Sequence, residues 1–205
     1  MYIPEHTKIE PLARLHEFMQ SFSFATLVSP GLTATHLPLL LKPEEGKHGI
    51  LYGHFARANP HWKHIEGQST LVIFNGPHSY ISPSWYHKHP AVPTWNYAAV
   101  HAYGTVSLLN DEETAAMLEH SMSHYDPELL HQPEIVSQQL RERLLAAIVG
   151  FSITLTHVEG VQKLGQHRSQ RDQQSVFEAL GQSKNPMDRA LAEYMEQQSL
   201  GTGKL

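Results

Sequence analysis

Apolar and polar positions along this chain follow two periods, and the switches between them predict most of its elements. Residues 11–22, PLARLHEFMQSF, place Leu12, Leu15 and Phe18/Met19 at helical spacing, which predicts a short helix with one buried face. Period-two runs follow closely at 24–29 (FATLVS), 33–41 (TATHLPLLL), 49–56 (GILYGHFA), 69–76 (STLVIFNG) and 79–82 (SYIS). The longest, 94–109, puts Trp95, Tyr97, Ala99, His101 and Tyr103 on one face and Ala98, Val100, Ala102, Val106 and Leu108 on the other. Strands this closely spaced, joined mainly by Gly and Pro turns, predict a mostly antiparallel barrel.

Helical periods then return. Asn110 with Glu113 three positions on predicts a capped helix start, with Ala115, Leu118 and Met122 on one side. A second helix is predicted over about 133–149, where Val136, Leu140, Leu144 and Ile148 recur every fourth residue and Gly150 stands ready to stop it. FSITLTHVEG, 151–160, alternates again and is expected to return to the barrel. Two short helices are predicted near 171–180 and 186–198, the first ended by Gly181, the second opened by Asn185 and Pro186. The final SLGTGKL is expected to fray. The fold class expected is mainly β with helices (α+β): a barrel domain over 1–165 and a helical C-terminal extension over 166–205.

Composition narrows the function classes. With 205 residues, a net charge of -5 and charged residues at 17%, the chain has no overall basic footprint for a polyanion, so DNA remains a partner that net charge does not support. Zero cysteines excludes disulfides, thiolate metal sites and thiol catalysis. No apolar run approaches the roughly 20 residues that span a bilayer, and MYIPEHTKIEP lacks a signal-peptide pattern, so a cytoplasmic protein without a membrane is expected. Sixteen histidines are scattered, with no HExxH spacing, and no metal site is predicted.

The richest stretch is GHFARANPHW, residues 53–62, where a strand ends in His, Arg, Asn-Pro and Trp. Asn59 and Pro60 are helix-start residues, predicting a short helix over about 60–66. A helix N-terminus, Arg57 beside it and Lys63 one turn on describe a phosphate site, with Trp62 as a flat apolar wall. The same residues also suit a surface helix with an ordinary cap and a core Trp. Pro38 inside THLPLLL places its strand at an edge or breaks it there, and loss of pairing would free backbone groups of Thr35, His36 and Leu37 for a planar polar ligand. The aromatic-rich stretch 76–104 suits a subunit interface, a cofactor, or both together.

THLPLLL, GHFARANPHW, LVIFNGPHSYISPSWY, VPTWNYAAVHAYG, AIVGFSI and KLGQHR occur in this order, and in this series the chain resembles the PaiB family over roughly residues 1–180. That family consists of FMN-binding proteins described as negative transcriptional regulators. The resemblance implies an FMN-binding split β-barrel of the flavin-reductase and pyridoxamine-phosphate-oxidase type, a homodimer with FMN at the subunit interface. Carried over position by position, it implies that His54, Arg57, Asn59, Trp62 and Lys63 lie at the FMN phosphate. Thr35, His36 and Leu37 would then follow the ribityl chain and isoalloxazine, and Trp95 and Asn96, with Tyr97, would lie near the ring or the partner subunit. Lys163, Gln166 and Arg168 fall in a family segment, but Gly165 and His167 depart from its pattern.

Three functions are compatible with these residues. A flavin-dependent regulator has one candidate reading helix, in the tail around Gly181, where Lys184 and Arg189 are offset by Asp188, Glu193 and Glu196. A flavin-dependent oxidoreductase would have no Rossmann fingerprint, with His36, His54 and His101 as candidate proton carriers and no identifiable catalytic residue. A planar ligand such as haem, on His36, His54 or His87, is the third.

Overall fold

In the computed structural model, which describes residues 1–132 and 134–204, the alternating runs form seven strands. They are β1 (Phe24–Val28), β2 (Ala34–Pro38), β3 (Leu40–Lys42), β4 (Ile50–Ala56), β5 (Ser69–Ile81), β6 (Thr94–Leu108) and β7 (Ile148–Lys163). They make one curled antiparallel sheet in the order β2-β1-β5-β6-β7-β4-β3. The curl brings β2 towards β4. Gly53 of β4 permits this approach, because a Cβ there would lie 2.7 Å from Leu39 Cδ2 and 3.2 Å from Leu37 Cδ1.

Among the described residues, five α-helices accompany the sheet: α1 (Leu12–Ser21), α2 (Asp111–Tyr125), α3 (Gln138–Ala146), α4 (Gln170–Gly181) and α5 (Pro186–Gln197). The α2 cap forms as predicted: Glu113 N–H donates to Asn110 Oδ1 and Asn110 N–H to Glu113 Oε2, both at 2.9 Å. Among the described residues, no helix is long and apolar enough to cross a membrane.

Contacts divide the chain into two compact units. One contains Met1–Phe18, Asn75–Val100 and Glu159–Leu205; the other contains Met19–Phe74 and His101–Val158. In the second unit Leu27, Leu51, Phe55, Val72, Phe74, Phe151 and Ile153 are at most 1% exposed, and the Phe55 and Phe151 rings sit 4.7 Å apart. Each such side chain contributes about 1.5–3 kcal/mol of transfer free energy. In the first unit, Leu15 and Phe18 of α1 are buried, with the Phe18 ring edge-on to Tyr194 of α5.

Five sequence expectations are corrected. The run 33–41 is two strands, β2 and β3, broken at Leu39, whose N–H bonds the Ser23 carbonyl at 2.9 Å. Pro38 lies within edge strand β2, and pairing at Thr35, His36 and Leu37 is kept, opposite Leu27, Thr26 and Ala25. The runs 69–76 and 79–82 are one strand, β5; Pro77 lies beyond the stretch registered with β1, where it removes no hydrogen bond of that ladder.

The helix expected over 133–149 is shorter, Gln138–Ala146, capped by Ser137 (Pro133 lies outside the described residues). Ile148 and Val149 pair instead with Ala56 and Phe55, and Gly150 lies in β7 opposite His54 rather than ending a helix. Strand pairing and burial override the four-residue spacing. The tail does not fray over 199–204: Gly201, at φ +72°, packs on the Leu164 carbonyl, Thr202 is buried, and Leu200 N–H bonds Met195 O at 3.0 Å.

Candidate functional site

The chain leaves β4 through a tight turn. Asn59 N–H bonds the Ala56 carbonyl at 2.9 Å, and Asn59 Oδ1 accepts the His61 N–H at 3.0 Å, with Pro60 in the first helical position. The helix that follows is a 3-10 turn, Pro60–His64, and not an α-helix over 60–66. Fully buried Ile65 and the Gly67 N–H, bonded to Val106 O at 2.9 Å, carry the chain off towards β5. Five residues sum to little macrodipole, so attraction for an anion here rests on side chains.

Two cations flank this turn. Arg57 donates from Nε to Ala146 O and from Nη2 to Ile148 O, both at 2.7 Å, while its backbone N–H holds Ala147 O at 2.8 Å. Its guanidinium thus clamps the link between α3 and β7, and three of its five donors are left for another acceptor. Trp62 Nε1 donates to Arg57 O at 3.0 Å, and the exposed Lys63 Nζ stands 5.9 Å from the Trp62 ring centre. Among the described residues, neither Arg57 nor Lys63 pairs with a carboxylate. Glu66, the nearest acid along the chain, is turned to the Leu108 N–H at 2.6 Å.

Behind the turn runs a polar relay that the sequence did not announce. His61 is 4% exposed and bridges two hydroxyls, with Nδ1 2.8 Å from Thr35 Oγ1 of β2 and Nε2 2.7 Å from Ser29 Oγ just after β1. Asn59 Nδ2 donates to Thr35 Oγ1 at 3.2 Å, so Thr35 is free to donate its own proton to Nδ1 and His61 to donate from Nε2 to Ser29. Burial holds the His61 pKa below the ordinary value, consistent with this neutral ring. The available signal was position: His61 follows the cap by two residues, where its N–H is the one Asn59 must satisfy.

The expected site residues are therefore brought together only in part. Thr35 and Asn59 meet through the relay, and Arg57, Trp62 and Lys63 form a second cluster. His36 is exposed on β2, whereas Leu37 is buried against Gly53. His54 opens into a cavity of about 520 Å³ under α2 and α3, and burial lowers its pKa. Trp95 and Asn96 belong to the other unit. There Trp95 is 52% exposed, its ring 5.7 Å from His78 and 6.4 Å from Tyr80, and Asn96 is buried.

Residues 1–157 match the family described as "Putative FMN-binding domain". The protease synthase and sporulation protein PAI 2 of Bacillus subtilis (strain 168) is 40% identical over 204 residues, covering 96% of this chain and 97% of its own. The chain belongs to the PaiB family of FMN-binding proteins. Its fold is shared more distantly by the flavocytochrome Anf3 from Azotobacter vinelandii, at 12% identity and a TM-score of 0.61, covering 78% of this chain and 72% of that one. It is also shared by an FAD- and haem-binding protein from Mycobacterium smegmatis, at 12% identity and a TM-score of 0.55, covering 77% and 73% respectively.

The residues of this PaiB-family chain fit the family's cofactor, FMN. A phosphate dianion calls for fixed cations with spare donors and no competing acid, and Arg57 and Lys63 meet both conditions.

Proposed function

We propose that the FMN phosphate is received at the 57–63 turn, with Arg57 and Lys63 as its cations and Trp62 beside them. Thr35 and Asn59, already polarised by the His61 relay, suit the hydroxyls of the ribityl chain. The observation that carries this is the pair of cations left without a carboxylate. Exposed Trp95 and Tyr80 offer an aromatic surface for a second copy, in line with a homodimer. When bound, FMN supplies the redox chemistry, while the chain binds, orients and shields it. Arg57→Ala should weaken FMN by about 1.5–3 kcal/mol in a fluorescence titration; unchanged affinity places the phosphate elsewhere.

The output we propose is regulatory, exerted through the flavin or a protein partner and without a DNA-reading helix of its own. On α5 the outward side carries Arg189 together with Glu193 and Glu196, and Glu196 is paired with Lys204 at 2.7 Å. Asp188, near its start, is held by Ser79 at 2.7 Å, Ser183 at 2.6 Å and Asn185 at 3.0 Å. A helix that reads a groove needs a basic face, and this one is acidic on balance. The lack of cysteine suits the reducing cytoplasm. Electrophoretic shift with promoter DNA at two salt concentrations tests this; a salt-sensitive complex formed by the protein alone would contradict it.

A further inference from the structure

The cavity under α2 and α3 has the size of a small-molecule site, about 520 Å³ against a usual ~300–1,000 Å³. Its walls are apolar: Leu118 and Met122 from α2, Val136, Leu144 and Leu145 from the α3 side, and Ile148 from β7. Polar residues line the same space, His54 from β4 and Gln138 and Arg141 from α3, with Glu119 and Glu142 exposed alongside them. Arg141 Nε is buried with no hydrogen-bond partner, the only such side-chain atom among the described residues. Among those residues Arg141 also makes no ion pair. Glu142, its sequence neighbour, instead accepts from Gln138 Nε2 at 3.1 Å.

A buried guanidinium donor without an acceptor is costly, and native structures rarely leave one so. Arg141 also lines the apolar chamber, and among the described residues no carboxylate is paired with its guanidinium. We propose that the cavity binds a small apolar monocarboxylate, its alkyl or aryl body against the six apolar walls and its carboxylate on Arg141, with His54 as a second polar partner. Arg141 is the one cation among the residues that line the cavity, so it can hold a single anionic head. The exposed Glu119 and Glu142, which also line the cavity, disfavour a dianion such as a phosphate monoester. This site is separate from the flavin position proposed above and does not depend on it.

Titration calorimetry with the full chain in excess FMN tests the proposal. Three probes share one body and differ in the head: sodium octanoate, 1-octanol and octyltrimethylammonium chloride. Octanoate should bind at least about tenfold more tightly than the other two, as expected for a hydrogen bond to a charged group. Arg141→Met should remove that preference while leaving octanol unchanged, and Leu118→Trp, by filling the chamber, should weaken octanoate and octanol alike. Thermal melting checks that each variant is folded. Equal binding of octanoate and octanol, or an octanoate affinity indifferent to Arg141→Met, overturns the proposal. Displacement of FMN by octanoate, one for one, also overturns it, because the chamber would then be the flavin's. Discrimination by head group in a chain that takes up no FMN supports this cavity and contradicts only the flavin position.

Discussion

Two helix pairs in this chain start from similar parts and end differently. In α4 and α5, Ser169 and Asn185 cap the first turns, and Val176, Leu180, Leu191, Ala192 and Met195 are at most 5% exposed. In α2 and α3, Asn110 and Ser137 cap just as well, yet Leu140 and Leu144 remain 38% and 48% exposed, and no residue of α3 is buried. Caps decide where a helix begins, whereas burial decides what it does for stability. The filled pair is core. The hollow pair keeps a chamber with an unpaired cation in it, and a ligand can use what the core cannot.

The sharpest way to break this comparison is to truncate one leucine in each pair. Leu191→Ala should cost about 2–5 kcal/mol in urea unfolding, the range for a buried leucine that leaves a cavity. Leu144→Ala should cost under about 1 kcal/mol, because the side chain is half in water. Equal losses would mean the second pair is packed after all. Next in size is the relay: His61→Ala leaves the Thr35 and Ser29 hydroxyls short of a partner, at about 1–3 kcal/mol for each buried group left unsatisfied. Thermal and urea melting read this directly, and a loss below 1 kcal/mol would show that water replaces the ring.

A smaller effect is set by pH. His54, His61 and His167 all have pKa values lowered from 6.5, first of all by burial. The unfolded chain therefore takes up protons before the folded one as pH falls. Stability is full above about pH 6.5 and declines as pH drops from there towards the folded-state values. His61→Gln should flatten that decline; an unchanged slope assigns it to other groups. Smallest is Lys63→Ala, expected to weaken FMN by roughly 0.2–1 kcal/mol and less so as salt rises, as for an exposed charge. A salt-independent loss would point to packing on Trp62 instead.

Much of the fold was legible because period two and helical spacing report burial on one face. The β6 alternation holds, with Ala98, Val100, Ala102 and Val106 buried, and the Asn110–Glu113 and Asn185–Pro186 starts form as expected. What was illegible depended on partners far along the chain. Ile148 looks helical until β4 is there to pair with it, and SLGTGKL looks loose until Leu164 and Met195 are there to receive Gly201. At the site, the Asn59 cap was readable from two residues. The role of His61 needed Ser29 and Thr35 from far along the chain, and nothing in its own helix marked the Arg141 Nε as a buried, unpaired donor.

If Arg57 and Lys63 grip a phosphate, then riboflavin, which is FMN without its phosphate, isolates that grip. Both flavins should be titrated against the wild-type chain and the Arg57→Ala/Lys63→Ala double variant. The wild type should prefer FMN by at least about tenfold, and the variant should lose this preference while its riboflavin affinity stays the same. A wild-type chain that binds both flavins equally, or a variant that keeps the full preference for FMN, would contradict that grip.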